Sequence, residues 1–324
     1  MMGLDQRTLD LHLLRQTFGI RLQEQAPLAR HTAARLGGAA DALLEVENVQ
    51  ELADAVLMAW EHNWPYLILG GGSNVLVSDA GVRGLVILNR ARQVRFSHQA
   101  EEPPTVWAES GANFGLLARQ AAQLGLAGLE WAVGIPGTLG GAVVGNAGAH
   151  GGDMAGNLLL AEILHHRNTT QPGEPQRQEW PVQKLEYAYR SSILKRQPDP
   201  KPYGRTAVVL AALLRLEGST PEQVQARMDE FVAHRKRTQP PGASLGSMFK
   251  NPPGDYAGRL IEAAGLKGAR VGDAQISPVH ANFFINLGNA SASDIRALIG
   301  LAQETVMRKF SLALELEIEL VGDW

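Results

Sequence analysis

The chain has 324 residues, 45% of them hydrophobic, and a formal net charge of -3. That length can bury a sizeable core and fits two domains, while the balanced charge offers no broad basic field for nucleic acid or an anionic membrane surface. Cysteine is absent, which excludes disulfides, thiolate metal sites and a cysteine nucleophile. The first twenty residues mix Asp5, Arg7, Asp10, His12 and Arg15 with leucines, unlike the apolar centre of a signal peptide, and no run reaches bilayer-spanning length. A cytoplasmic protein with small-molecule partners is the expectation.

Leucines at 9, 11, 13 and 14 predict a short helix between Asp5 and Gln16, either docked or frayed. Thr32, Arg35, Gly37 and Gly38 lead through a glycine turn into a strand from Ala39 to Val46. Asn48, with Glu51 three residues on, opens a helix carrying Leu52, Val56, Leu57 and Trp60 on one face. Tyr66 to Leu69 reads as a buried strand that runs into Gly70-Gly71-Gly72-Ser73-Asn74. Strands resume at Val75 to Val77, Leu85 to Leu88, Val94 to Phe96 and Val106 to Glu109. No Lys-Ser or Lys-Thr follows these glycines and no G-x-G-x-x-G lies near them, so Walker and Rossmann loops are disfavoured. Ser73 and Asn74 add hydroxyl and amide donors to the backbone N–H groups of the loop, which suits a diphosphate.

A helix is predicted from Asn113 to Leu124. The stretch Gly134 to Gly152 then holds eight glycines padded with Ile, Leu, Val and Ala. Such backbone, buried rather than solvated, can approach a ligand closely and aim its N–H groups at an anion or at the edge of a flat cofactor. Leu158 to Leu164 leads to His165-His166 and a polar segment, Arg167 to Glu179, that reads as an exposed hairpin tip. Adjacent strand residues face opposite ways and no carboxylate accompanies the two histidines, so no metal site is expected. Ala207 to Leu216 is a long apolar strand. Thr220-Pro221-Glu222-Gln223 opens a helix that stops at Gln239-Pro240-Pro241, and a domain boundary fits at its start. Small residues around Ser247 expose a serine next to Lys250 and Asn251. A helix from Tyr256 to Ala264 and a strand from Phe283 to Asn286 follow. The last helix, capped by Ser293, aligns Ile295, Leu298, Ile299, Ala302, Val306 and Phe310. The chain closes on a predicted strand, Leu312 to Val321, with Glu315, Glu317 and Glu319 on one side, a pattern that ordinarily faces solvent.

In this order the motifs resemble the UDP-N-acetylenolpyruvoylglucosamine reductases. The matching residues are Thr32-x-x-Arg35-x-Gly37-Gly38, Gly70-Gly71-Gly72-Ser73-Asn74, Gly134-Ile135-Pro136-Gly137, Asn146-Ala147-Gly148, Tyr189-Arg190-x-Ser192, Gly246-Ser247-x-Phe249-Lys250-Asn251-Pro252 and Leu314-Glu315-x-Glu317-Ile318. The resemblance runs from Pro27-Leu28 to Gly322. It implies an α+β fold in which an N-terminal helical extension (1–26) precedes a FAD-binding domain of the vanillyl-alcohol-oxidase (PCMH) type (27–219). A smaller α/β substrate-binding domain (220–324) follows, its last strand returning towards the flavin site. FAD would be held by Gly70, Gly71, Gly72, Ser73 and Asn74 on the diphosphate, and by Gly134, Pro136, Gly137, Thr138, Gly141, Asn146 and Gly148 along the diphosphate and isoalloxazine edge. NADPH would be the reductant and a UDP-sugar the substrate, in the formation of UDP-N-acetylmuramate for the bacterial cell wall.

In that reaction hydride adds to the terminal carbon of an enolpyruvyl ether, and negative charge builds on the next carbon and its carboxylate. Arg190, permanently charged and able to grip a carboxylate with two parallel bonds, suits that charge. Glu317, if kept protonated by burial, could donate to it, and the family's proton donor corresponds to Ser247. Without the resemblance the three read as a surface ion pair, a solvated carboxylate and a turn hydroxyl. Tyr189, Lys250, Asn251 and His280 fall at substrate-contact positions. His150 stands where many members have tyrosine, and no tyrosine-bearing insertion is present, which indicates the shorter branch. A flavin oxidase of the same fold, or a nucleotide-sugar binder without catalysis, remains an alternative; a protein that takes up no flavin would favour the binder.

Overall fold

Apolar strands, punctuated where the glycines and helix caps stand, build two bodies. The structure, a computed structural model, describes residues 9–99, 102–166, 176–196 and 205–324. Its residues divide into one unit drawn from Met1–Glu24, Asp41–Gly70 and Gly84–Val232, and a second drawn from Gln25–Ala40, Gly71–Arg83 and Ala233–Trp324.

The first unit is centred on Ala207–Arg215, a strand buried along nearly its whole length. It pairs antiparallel with Leu158–His165 on one side and Thr105–Glu109 on the other. Gln176–Pro181 and Val94–Ser97 complete a five-stranded sheet. Of the predicted loop Arg167 to Glu179, residues 167–175 lie outside the described residues, and from Gln176 onward the chain is strand. Between Ala211 and Val209 the register against Leu158–His165 slips by one residue at Leu210. Such a bulge changes which side chains face each side of a sheet. Here Val209, Ala212 and Leu214 join one core, with the helices Phe114–Gln123 and Leu139–Gly145, while Val208 and Leu210 join another. That second core lies under Val49–Glu61, a helix capped by Asn48 through the amide of Glu51 at 3.0 Å. It also takes Leu14 and Phe18 from the helix Leu11–Phe18, so this helix is docked rather than frayed. Residues 5–8 of the predicted helix lie outside the described residues.

The second unit holds a four-stranded antiparallel sheet, in the order Ala243–Ser247, Phe283–Asn286, Ala274–Ile276 and Arg270–Val271. Helices Ala257–Ala263 and Ala292–Phe310 pack their apolar faces into its core. Three features differ from expectation. The long helix is capped by Ser291, not Ser293, because only Ser291 has an acidic residue, Asp294, three positions on to close a reciprocal box. Phe310 ends the helix 38% exposed instead of joining the buried face, since Ser311 turns left-handed immediately after it. The predicted closing strand is also shorter. Only Glu319–Val321 forms one, parallel to Val75–Val77.

Candidate active site

In the second unit the chemistry-bearing residues lie on one zipped segment. Ser244 pairs with Ile285 and Ser247 with Phe283, so three steps on one strand oppose two on the other. Gly246 absorbs the extra residue with φ +74, a conformation glycine takes without penalty. Beyond the bulge, the main chain of Met248 accepts the amide of Glu317 at 3.0 Å, Phe249 bridges Leu316, and the amide of Lys250 donates to the carbonyl of Glu315 at 2.8 Å. Ser247 and Glu317 therefore stand on adjoining main chains: Ser247 is one residue from Met248, to whose carbonyl the Glu317 amide is bonded.

The glycine loop meets the same segment. Gly72 has φ +59, and its carbonyl accepts from the amide of Ala33 at 2.9 Å. A Cβ there would lie 2.1 Å from the carbonyl oxygen of His31, so no other residue fits the backbone as it stands. The turn it abuts is closed by the Thr32 hydroxyl, which donates to the Leu36 carbonyl at 2.8 Å and accepts from its amide at 3.1 Å. Asn74 donates its side-chain amide to the carbonyl of Glu317 at 3.3 Å, and its own carbonyl accepts from Glu319 at 2.9 Å. Among the described residues the amides of Gly71 and Gly72 donate to no main-chain carbonyl. Adjacent unspent N–H groups beside a hydroxyl, Ser73, are a donor set that a diphosphate takes up, and these residues fit the cofactor the sequence implies.

The substrate-position residues have varied settings. Lys250 forms an ion pair with Glu315, whose side chain is 74% exposed. The Asn251 side-chain oxygen accepts the amide of Ala257 at 3.1 Å at the start of the helix Ala257–Ala263, which leaves its NH2 group for other work. His280 Nδ1 accepts the amide of Asn282 at 3.2 Å, and its ring lies edge-on to Phe283. Burial is the main cause that holds this ring below its ordinary range; a backbone bond opposes it, and Lys267 and Glu262 act in opposite senses.

In the first unit the glycine-rich stretch contains an element its composition did not announce, the seven-residue helix Leu139–Gly145, with Leu139 and Val143 fully buried. Gly134 and Gly137, at φ +74 and +113, shape the approach on either side of Pro136, and Gly137 accepts the amide of Phe114 at 3.2 Å. Thr138 stands at the helix start, where a Cβ on Gly70 would lie 2.4 Å from its hydroxyl. Gly141 is exposed on the helix's first turn. Asn146 ends the helix left-handed, at φ +45. Its side chain donates to the carbonyl of Ala188 at 3.0 Å and accepts from Ala155 at 3.0 Å.

A second segment then grips carbonyls on either side of Asn146. The hydroxyl of Tyr187 donates to Val143 at 2.8 Å, that of Ser192 to Val144 at 2.6 Å, and Arg190 Nη2 to Gly148 at 2.8 Å. Burial, with Asp153 adding to it, pushes the Tyr187 phenol up, so it remains a donor at any ordinary pH. Arg190 itself has φ +54 and lies 5.5 Å from the ring centre of Tyr189, a side chain 55% exposed. Gly148–Ala149 and Gly152–Asp153 form a tight hairpin with His150 and Gly151 at φ +53 and +83, and the His150 ring stacks on Phe231 at 4.2 Å. His165, the last residue of its strand, and His166 diverge, towards Trp180 and Trp60 respectively.

Tyr187 and Asn282, which hold these segments, were not singled out from sequence, and Ser192 stood only as the last residue of the Tyr189-Arg190-x-Ser192 motif. Tyr187 and Ser192 carry no signal for the carbonyls they cap. Asn282 did carry one, a polar residue inside the otherwise apolar run from Ala281 to Ile285, and it is only 3% exposed.

Comparison with known proteins gives the family. Residues 40–165 match the family described as an FAD binding domain, and residues 238–321 match the C-terminal domain of UDP-N-acetylenolpyruvoylglucosamine reductase. The reductase of Chloroflexus aggregans is 44% identical over 95% of this chain and 100% of its own. That of Rubrobacter xylanophilus is 46% identical over 92% of this chain and 94% of its own. The crystal structure of the reductase from Thermus caldophilus superposes with a TM-score of 0.72 at 36% identity, covering 93% of this chain and 98% of that one. The chain belongs to the UDP-N-acetylenolpyruvoylglucosamine reductase family.

Proposed function

We propose that this protein is the FAD-dependent enzyme that reduces UDP-N-acetyl-3-O-(1-carboxyvinyl)-glucosamine to UDP-N-acetylmuramate at the expense of NADPH, in the cytoplasm, for peptidoglycan synthesis. The observation that carries the reading is the ladder that joins Met248 and Glu317, which sets a hydroxyl and a carboxyl group on adjoining main chains. The segment 27–219 serves as the FAD-binding domain and 220–324 as the substrate-binding domain, with 1–26 an N-terminal extension; the two family matches fall inside these limits.

Gly70 to Asn74 would hold the FAD diphosphate, and Gly134, Pro136, Gly137, Thr138, Gly141, Asn146 and Gly148 would lie along the diphosphate and isoalloxazine edge. Bound FAD supplies, as hydride, the two electrons taken from NADPH. The protein's own groups handle the charge and the proton. As the C=C bond becomes a methyl-bearing single bond, Arg190 holds the substrate carboxylate in its planar fork, and Glu317, protonated, donates to the developing enediolate. Ser247 gives its hydroxyl proton to the carbon next to the carboxylate and is reprotonated from solvent. A hydroxyl is a weak acid, but a carbanion-like carbon is a stronger base, so the transfer runs downhill. Lys250 and Asn251 would contact the substrate diphosphate, Tyr189 would pack near the sugar, and His280 stands as a further substrate contact.

The test is anaerobic. NADPH should bleach the yellow protein and the enolpyruvyl sugar nucleotide should restore the colour. Ser247→Ala should bleach at nearly the normal rate while recovery collapses to a slow residual rate. A wild-type protein that never recovers refutes the activity, and equal loss in both halves refutes the role of Ser247.

A further inference from the structure

We infer that Asn282 is the positioning residue that holds the Ser247 hydroxyl in its working place, an inference that rests on the proton-donor role proposed above. Asn282 spends every polar group it has. Its side-chain oxygen accepts the amide of Phe249 at 2.9 Å, and its side-chain NH2 donates to the carbonyl of the same residue at 2.8 Å. Its main-chain carbonyl accepts the amide of Met248 at 2.8 Å. Its main-chain amide goes to His280 Nδ1 at 3.2 Å. One buried side chain thus replaces the missing strand partner at both main-chain groups of Phe249, two residues past Ser247, where the register has just slipped.

The placement explains why an amide is needed. Ser247 lies between a flexible point, the Gly246 bulge, and an anchor, Phe249, whose ring is fully buried against Phe284 at 6.0 Å. Regular pairing with Phe283–Asn286 ends at Ser247. Beyond it, Asn282 supplies three bonds to the Met248–Phe249 main chain, and the opposite edge of that main chain carries Glu317. A carboxylate at 282 can accept from Phe249 but cannot donate to its carbonyl, and alanine can do neither. In both cases a buried carbonyl is left without its donor and the main chain carrying Ser247 is free to shift. A displacement of about 1 Å at a reacting group is enough to lower a rate by about 100-fold.

The experiment compares Asn282→Asp and Asn282→Ala with the wild type as FAD-loaded holoenzymes in the two anaerobic half-reactions. Bleaching by NADPH should stay within about twofold of wild type, while recovery of colour with the enolpyruvyl sugar nucleotide should slow by about 10- to 100-fold. In a Ser247→Ala background the same substitutions should cost less than about threefold more, because the group they position is gone. Amide exchange at Met248 to Lys250 should quicken in either variant, a readout that needs no turnover. The inference is overturned if recovery is as fast as wild type, if bleaching falls in proportion, if the losses multiply in the double variants, or if exchange at Met248 to Lys250 is unchanged. A wild-type enzyme that cannot be recovered at all refutes the proposed function instead.

Discussion

Replacing Gly72 by alanine tests the claim that the glycine loop is shaped by close approach and not by flexibility. The backbone there is left-handed, which costs an L-residue about 1–2 kcal/mol. The new Cβ would also stand 2.1 Å from the His31 carbonyl oxygen and 2.8 Å from the Thr32 Cα. Relief requires the loop to retreat by about 1 Å, which strains or breaks the Gly72–Ala33 bond, worth about 0.5–1.5 kcal/mol. The sum is about 2–3 kcal/mol lost on urea unfolding of the apoprotein, and flavin affinity should fall at least about 10-fold because the amides of Gly71 and Gly72 move with the loop. Gly300→Ala is the control. It lies inside the helix Ala292–Phe310 with nothing within 4 Å of the added methyl group, so alanine should be neutral or stabilise by up to about 1 kcal/mol. A Gly72→Ala protein that loses less than about 0.5 kcal/mol and binds flavin normally would refute the packing argument.

Three further outcomes can be measured on the same protein. Asp79 accepts the amides of Ala292 and Ser293 and the Ser293 hydroxyl at the N-terminus of the long helix, so Asp79→Ala should cost about 1–2 kcal/mol on urea unfolding at neutral pH. Burial alone would raise this carboxyl, but those three bonds together hold it below its ordinary 3.8. The folded form therefore binds its proton less readily than the unfolded one. The difference between wild type and variant should persist above that value and close only as pH falls through the lower folded value. Arg190→Lys keeps the charge and loses the planar fork, so recovery of colour should drop by about 100-fold while bleaching persists; near-wild-type turnover would contradict its assigned role. Glu315→Gln removes an exposed ion pair worth about 0–1 kcal/mol and should leave turnover within a few-fold. Glu317→Gln should collapse recovery, and comparable effects of the two substitutions would undo the choice between them.

Where local pattern determines structure, the sequence was readable. The Thr220 cap at one end and Gln239-Pro240-Pro241 at the other bracket a helix that runs from Pro221 to Thr238, and Phe283–Asn286 is a strand at its predicted limits. The helix Leu139–Gly145 was not visible among its glycines, because it is held by Tyr187 and Ser192, more than forty residues later, through bonds to two of its carbonyls. The Ser291 cap depended on Asp294, a reciprocal partner, rather than on which serine stood nearer the apolar stripe. In the site, motif order alone named the residues proposed for the chemistry, Arg190, Ser247 and Glu317. The bonds that place them, from Asn282 to Phe249 and from Asn74 to Glu317, join positions far apart in the chain and leave no periodic trace.

The three closing glutamates show how main-chain pairing can separate residues that look equivalent. A single strand from Leu312 to Val321 would have set all three on one solvated face. Instead the chain pairs antiparallel with Phe249 at Leu316 and then parallel with Val75–Val77 from Glu319. The change of partner falls between them, at Glu317 and Ile318. Glu315 is left 74% exposed against Lys250, and Glu319 enters the second ladder. Glu317, half-buried, is fixed at its amide by Met248 and at its carbonyl by Asn74, so one bond comes from the segment carrying Ser247 and the other from the glycine loop. A residue whose two main-chain groups are held by the segment of the proposed proton donor and by the loop proposed to hold the cofactor is the one whose position both must share, which is the physical reason to propose the carboxyl role for Glu317 and not for its neighbours two residues away.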